Sequence, residues 1–182
     1  MTIDIAGVDP SESTQILRSQ YIPFVLANPA PLHAILLMAA SHYSRLYGSR
    51  SHAINLLQLR GLAIGEINNA LADQHRCTSD HVIAAVAQMA AYEALFGDRS
   101  ICNTHMQGVT RMVSLRGGLP ALGLDGLLER ILLWIDANVS HLSRSRLYFD
   151  QRAFPPSAPN VTHPAPDPTR FAAGGLGRRI AS

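Results

Sequence analysis

The chain has 182 residues, of which 47% are hydrophobic and 15% charged, and its formal net charge is +2. These values are typical of a globular domain that folds around its own core without disulfides or metals, and they exclude a largely disordered chain. Residues 1–143 hold nine Arg against eleven Asp plus Glu, whereas residues 144–182 hold six Arg against two Asp. The helical body therefore lacks the excess of basic residues that non-specific DNA binding needs, and it is not expected to bind DNA.

The N-terminal part of the chain predicts two helices with a short break between them. The first begins near residues 11–13 and covers the core, and Pro23 bends or ends it. The second begins at Asn28, a residue type that caps helix N-termini, with Pro29 at the first helical position. Apolar residues then recur at helical spacing until Gly48, where the helix is expected to end.

The middle of the chain predicts a third and a fourth helix. The third, over residues 51–72, contains Gly61 and Gly65, each of which costs about 1 kcal/mol relative to Ala. Either helix backbones approach closely at these glycines or packing overrides the penalty. The fourth helix begins after the N-cap Ser79 and ends at Gly97, and its apolar content makes it the most deeply buried candidate.

Two further helices follow in the predicted fold. The fifth covers residues 100–116 and ends at Gly117 and Gly118, and the sixth covers residues 125–142. Trp134 lies at helical spacing among apolar residues of the sixth helix, which favours a core position over stacking on a ligand. Six helices without a convincing strand predict an all-α fold, packed as an irregular helical bundle.

The composition changes after the sixth helix. Residues 155–168 contain six of the eleven prolines and are followed by a Gly-rich, basic end, a composition typical of disordered segments. Three parts are therefore predicted: an N-terminal segment at 1–20, a helical domain at 21–149 and a disordered tail at 150–182.

No pattern for catalysis or cofactor binding is found in the sequence. It lacks a Gly-x4-Gly-Lys-Ser/Thr phosphate loop and a Gly-x-Ser-x-Gly nucleophile elbow. The carboxylates Glu66, Glu93 and Glu129 lie on separate predicted helices, which is a poor basis for an acid/base pair. The sequence therefore predicts a protein without enzymatic activity and without a cofactor.

One set of residues has the character of a metal site. His75, Cys77 and His81 are types that bind zinc, and Cys102 and His105 can contribute to such a site. The first three span a loop and a helix start, and cysteine is commonly buried as a small hydrophobe, so no metal is predicted. A helical enzyme or metal-binding protein built on these residues is the alternative to a non-catalytic domain.

Cysteine content and hydropathy indicate the compartment. Two cysteines are too few for a disulfide scaffold and suit an intracellular protein. The N-terminus lacks the basic and apolar regions of a secretory signal. No apolar stretch reaches the roughly 18–20 residues of a membrane span, so an intracellular protein that does not insert in a membrane is expected.

Three segments, taken together, resemble the fungal-specific transcription factor domain, the regulatory middle region of fungal zinc-cluster regulators. They are YIPFVLANPAPLHAILLMAASHY at 21–43, HMQGVTRMVSLRGGL at 105–119 and LLERILLWIDAN at 127–138. Between them, LRGLAIGEINNALAD at 59–73 and the fourth helix have the family's order and spacing. The resemblance covers about residues 21–149.

The resemblance implies a nuclear, non-catalytic regulatory domain. It implies contacts with a small-molecule effector, with other transcription regulators or with a second copy of the chain, and a free-standing dimerisation module is a further interpretation. The family's DNA-binding module needs six cysteines, whereas this chain has two, so direct DNA binding is not implied. Family members continue with further helices where this chain becomes Pro-rich, which favours a fragment of a longer regulator.

Five residues of the resembling segments have predicted structural roles. Gly117 and Gly118 supply a left-handed end to the fifth helix. Arg111 and Arg116 lie near the C-terminus of that helix, where cations complement the dipole and bond the last carbonyls. Asp136, on the sixth helix, is predicted to be their ion-pair partner.

Overall fold

The computed structural model describes residues 14–47 and 53–167, and these residues form six α-helices and no strand. The helices are α1 (Thr14–Leu26), α2 (Pro29–Tyr47), α3 (Ala53–Leu71), α4 (Asp80–Phe96), α5 (Arg99–Arg116) and α6 (Leu127–Ser143). A 3₁₀ turn, Leu119–Ala121, follows α5. The described part of the chain therefore confirms the all-α prediction.

Helix α4 lies at the centre of the bundle and contacts α2, α3, α5 and α6. The hydroxyl of Ser79 caps its N-terminus by accepting the backbone N–H of Val82 at 3.5 Å. Eleven of its 17 residues are buried, but α6 buries 13 of 17. The prediction that α4 is the most deeply buried helix is wrong, because a segment after α6 covers the outer side of that helix.

The predicted start of α2 and the predicted end of α5 are confirmed. The side-chain oxygen of Asn28 accepts a backbone N–H at 3.0 Å, and Pro29 is the first residue of α2. Helix α5 ends at Gly117 and Gly118, whose φ angles of 102° and 99° lie in the left-handed region. The N–H of Gly118 donates to the carbonyl of Val113 at 2.9 Å, which forms a Schellman cap.

Helix α1 continues through Pro23 to Leu26 instead of ending there. Residues Leu17–Tyr21, just before the proline, form a π-helical stretch. Proline lacks an N–H and crowds the preceding turn, and a widened turn accommodates both effects. Tyr21 is buried, and its hydroxyl accepts a 2.6 Å hydrogen bond from the amide of Gln88 on α4. Helix α1 therefore covers the core, as predicted.

The two glycines inside α3 are not points of close helix approach. A Cβ atom at Gly61 or Gly65 would have no neighbour within 4 Å. Ala63, Ile67 and Ala70 of the same helix are buried in the core. Of the two explanations predicted for these glycines, packing that overrides their cost is the correct one.

Four predictions lie outside the described residues: the first helix start at 11–13, the helix end at Gly48, the start of the third helix at residue 51 and the part of the tail at 168–182. Among the residues that the structure describes, no single helix is long and apolar enough to span a membrane. Helices α1 and α2 meet that test of length and composition only as a pair, which is bent by 117°.

The C-terminal segment, defined here as residues 144–167, lies along α6. Phe149 is fully buried and Val161 is 6% exposed, and the ring of Phe154 meets that of Phe149 edge-on, with centroids 5.0 Å apart. The predicted disorder of the tail is therefore not confirmed for residues 150–167. Proline prevents this segment from forming regular structure, but polar side chains of α6 supply the hydrogen-bond partners that its backbone needs.

Candidate functional site

A groove of about 420 Å³ lies between α3 and α5, a volume in the range typical of small-molecule sites, about 300–1,000 Å³. Helix α4 contributes Val86 to it, and the loop before α4 contributes Cys77 and Thr78. Most of its lining is apolar and includes Ile64, Ile67, Leu71, Met112 and Leu115. A mostly apolar cleft between helices that also contains a few polar groups is the usual form of a ligand site.

Two of the polar groups in this groove come from α5. Arg111 is exposed at the groove and forms no hydrogen bond or ion pair with any described residue. His105 is half-buried, and burial lowers its pKa; the carboxylate of Glu93 raises that pKa and the guanidinium of Arg60 lowers it. His105 is therefore uncharged at neutral pH, and Arg111 carries the formal charge of the groove.

A second depression, of about 510 Å³, lies between α2 and α3 and is lined by Ala39, Ala40, Tyr43, Asn55, Leu56 and Leu59. It is larger than the α3–α5 groove, but none of the described residues that line it is charged, and its polar side chains are those of Tyr43 and Asn55. A charged group in a mostly apolar site orients a ligand and selects for it. The α3–α5 groove is therefore the better candidate.

A buried ion pair joins α3 to α4 close to His105. The guanidinium of Arg60 and the carboxylate of Glu93 are 2.6 Å apart, and Glu93 also accepts the N–H of Asp98 at 3.0 Å. A Cβ atom at Gly97 would overlap the Glu93 carboxylate. The predicted helix end at Gly97 is thus also a position where only glycine leaves room for this buried acid.

Arg116 connects the end of α5 to the start of α4. Its guanidinium donates to the carbonyl of Thr78 at 2.9 Å and to a carbonyl of the following 3₁₀ turn at 3.2 Å, and it pairs with Asp80 at 3.1 Å. The predicted ion pair of Arg111 and Arg116 with Asp136 is wrong. The reason is that Asp136 contacts the C-terminal segment instead of α5.

Asp136 is fully buried on α6 and anchors the C-terminal segment. Its carboxylate accepts the backbone N–H groups of Tyr148 and Phe149, both at 2.9 Å. It also contacts Nε2 of His163 at 3.0 Å and accepts the hydroxyl of Ser140 at 3.1 Å. Four groups thus contact this carboxylate, and they supply the hydrogen bonds that a buried acid needs.

Two other buried polar residues of α6 hold the same segment. Glu129 accepts the N–H and the hydroxyl of Ser157, and Asn138 accepts the N–H of Asp167 at 2.9 Å. Glu129, Asn138 and His163 were not predicted from the sequence as structural residues. A signal existed for the first two, since each interrupts a run of apolar residues near Trp134, which is 1% exposed and part of the core.

Ser140, Asp136 and His163 have the residue types of a hydrolase triad but not its geometry. In a triad the serine donates to the histidine and the histidine donates to the aspartate. Here both Ser140 and His163 lie within hydrogen-bond distance of Asp136, and the single proton of the serine hydroxyl is shared between that carboxylate and the carbonyl of Arg146, which is 3.0 Å away. This arrangement gives the serine no base, so it fits a structural anchor and not a nucleophile.

The residues considered as metal ligands have separate surroundings. The ring of His81 stacks on Phe24 at 4.2 Å, and Sγ of Cys77 bonds to the carbonyl of Gln74 at 3.4 Å. Cys102 is buried. Within residues 14–47 and 53–167, no three His, Cys, Asp or Glu side chains come together as a metal site. The alternative function based on these residues therefore has no geometric support.

His42, a buried residue of α2, is expected to make the stability depend on pH. Within the described residues its two ring nitrogens have no hydrogen-bond partner, and its ring meets that of Phe96, at the end of α4, edge-on at 4.8 Å. Burial lowers the pKa of His42, and the charge of Arg45 lowers it further. The unfolded chain then binds a proton at the ordinary pKa of about 6.5, before the folded protein does. The free energy of unfolding is expected to decrease as the pH falls below about 7.

Urea unfolding at pH 7.5 and pH 5.5 measures this dependence. His42→Leu removes the titrating ring and is expected to lose less stability between the two pH values than the unchanged protein. The same substitution at the exposed His141 is the control and is expected to keep the original dependence. Equal dependence in all three proteins would show that His42 is not its source.

Comparison with known proteins places this chain next to regulators of transcription. The family model of the fungal specific transcription factor domain matches residues 8–171. No curated protein and no solved structure matches the chain. The match confirms the resemblance found in the sequence and extends beyond residues 21–149 on both sides, so that it includes the whole described C-terminal segment.

Proposed function

The chain belongs to the fungal specific transcription factor domain family, and from this membership we propose that it is a regulatory domain that responds to a small molecule bound between α3 and α5. Its role is related to transcription-factor regulation, as in the family. It acts by contacts and not by catalysis, and it works in the nucleus. A DNA-binding segment or a partner regulator receives the response.

The observation that carries this proposal is the α3–α5 groove. It combines an apolar lining, a volume suited to a small ligand and one cation without a partner in the described chain. Catalysis has no comparable support, since the Ser140, Asp136 and His163 group lacks the order of a triad. The groove therefore supports binding as the activity of this domain.

The position of the groove suggests how a bound molecule affects the rest of the domain. Arg111, Met112 and Leu115 of the groove lie in the last turns of α5, directly before Arg116. Arg116 holds the start of α4 through Thr78 and Asp80. A ligand that favours one position of α5 thereby favours one arrangement of the α4 start and of the turn after α5.

The charge distribution supports a role in which this chain does not contact DNA itself. Residues 1–143 carry nine Arg against eleven acids, and non-specific DNA binding depends on a basic surface whose cations neutralise phosphates. The purified chain is expected to leave the mobility of duplex DNA unchanged in a gel-shift assay. The response to a ligand then reaches DNA through another segment or protein.

A reporter assay tests the regulatory role. The full chain is fused to an unrelated DNA-binding module in yeast, and reporter output is measured for the unchanged chain and for Gly108→Leu. Gly108 lines the groove, and a Cβ atom there would lie 4.0 Å from Val86, so a larger side chain has to occupy the groove. We expect Gly108→Leu to change reporter output by about fivefold or more, the lower end of ordinary allosteric coupling.

Gly61→Leu is the matched control, because it places the same side chain on a helix at a position with no neighbour within 4 Å. It is expected to leave reporter output unchanged. Thermal unfolding of both variants shows whether each is folded. Identical output from the unchanged chain, both folded variants and the DNA-binding module alone would contradict a regulatory role.

A further inference from the structure

The charge of the α3–α5 groove selects among classes of ligand. Its described lining contains Arg111 but no Asp or Glu. Burial lowers the pKa of His105, the other titratable base there, so it adds no charge at neutral pH. A ligand with a positive charge would be repelled by Arg111, and one with two or more negative charges would have only one cation to bind.

Arg111 differs from the other arginines of the core region because it is not engaged within the described chain. Arg60 pairs with the buried Glu93 at 2.6 Å, and Arg116 bonds two carbonyls and Asp80. Arg111 lies on the same helix as Arg116, one and a half turns before it, and has no such partner. Its guanidinium is available for an anion at the groove.

The rest of the groove requires an apolar partner. Leu71 and Leu115, from α3 and α5, are 44% and 63% exposed at the groove. Exposed leucines on both walls favour a ligand that bridges the helices, because each square ångström of apolar surface removed from water stabilises by about 25 cal/mol. Deeper in the groove, Ile67, Val86 and Met112 extend the apolar surface.

We propose, on the basis of the function given above, that the α3–α5 groove binds an apolar monocarboxylic acid. The carboxylate pairs with Arg111, whose planar guanidinium forms two parallel hydrogen bonds with such a group. The apolar body lies between Leu71 and Leu115 and reaches Val86. An aliphatic chain and an aromatic ring system both satisfy this chemistry, and the probes below distinguish them.

Isothermal titration of the full chain tests the proposal with decanoate, 1-naphthoate and the uncharged decan-1-ol. One of the two carboxylates is expected to bind at least fivefold more tightly than decan-1-ol, because a charge-assisted pair at a partly exposed site contributes a factor of that order. Tighter binding of decanoate would indicate an aliphatic body, and tighter binding of 1-naphthoate an aromatic one.

Four variants assign the binding to the groove and to the cation. Arg111→Gln is expected to weaken carboxylate binding about five- to tenfold and to leave decan-1-ol unaffected, and Arg111→Lys restores part of the loss. Arg99→Gln, an exposed arginine of the same helix outside the groove, is the control without effect. Gly108→Leu is expected to abolish binding of every probe.

Three results would overturn the ligand class and separate it from the proposed function. Binding of neither carboxylate more tightly than decan-1-ol, or a carboxylate affinity unchanged in Arg111→Gln, would contradict a carboxylate at Arg111. If Gly108→Leu still changes reporter output in either case, the regulatory groove stands and only the ligand class is wrong. No binding of any probe, with reporter output unchanged in folded Gly108→Leu, would contradict both.

Discussion

Replacement of Asp136 by alanine is expected to lower the free energy of unfolding by about 3–5 kcal/mol. The side chain is fully buried, so its removal leaves the N–H groups of the half-buried Tyr148 and of the buried Phe149 without their acceptor. Each such donor costs about 1–3 kcal/mol, and the lost contact with His163 adds to the total. Urea unfolding followed by circular dichroism measures the change.

Asp98→Ala is the matched control for this measurement. Its carboxylate also accepts two backbone N–H groups, those of Ser100 and Ile101 at 2.7 and 3.1 Å, but it does so at the surface. Loss of such an N-cap costs about 1 kcal/mol. Equal losses in the two variants would contradict the role of burial at Asp136. Asp136→Asn keeps one acceptor oxygen and provides an intermediate test where the alanine variant fails to fold.

The helices and their ends could be predicted because their determinants are local. Asn28 and Ser79 cap helices through bonds to residues two or three positions away, and the left-handed φ of Gly117 is a property of one residue. Apolar spacing then identifies the buried side of each helix. Pro23 shows the limit of such rules, since the π-helical stretch before it lets α1 continue.

The partners of charged residues could not be predicted, because they depend on how distant elements pack. Arg116 and Asp136 have opposite charges and lie 20 positions apart, yet each bonds to a different part of the fold. Arg116 reaches back to Asp80, and Asp136 reaches forward to His163. Neither partner follows from helix periodicity, because periodicity identifies the buried side of a helix but not the element that packs against that side.

The candidate groove could not be predicted from the sequence either. Its walls come from α3 and α5, which are separated in the chain by the whole of α4, and it exists because these helices leave space beside Val86. Arg111 was identified from its place near a helix end, and that position was correct. The fold alone shows that Asp136 bonds to the C-terminal segment and that Arg111 lies at an apolar groove without this partner.

Deletion of the Pro-rich part is the second change with a large expected effect. A chain that ends at residue 149, the domain boundary predicted from composition, is expected to be less stable than one that ends at residue 167 by about 2–3 kcal/mol. The shorter chain lacks the bonds of Ser157 to Glu129 and of His163 to Asp136. Each of these hydrogen bonds contributes about 0.5–1.5 kcal/mol net, and the shorter chain also loses the packing of Phe154 and Val161 against the domain.

Urea unfolding of the two truncated chains measures this difference, and Ser157→Ala in the full chain provides a variant with its length unchanged. Ser157→Ala removes one bond to Glu129 and keeps the backbone N–H that makes the other, so a loss of about 1 kcal/mol is expected. Equal stability of the chains ending at 149 and 167 would support the original boundary and a segment that adds nothing to the fold. A loss of stability in both experiments would show that residues 150–167 belong to the domain. The physical reason is that buried side-chain acceptors of α6 bind the N–H groups of this proline-rich stretch and thereby order it.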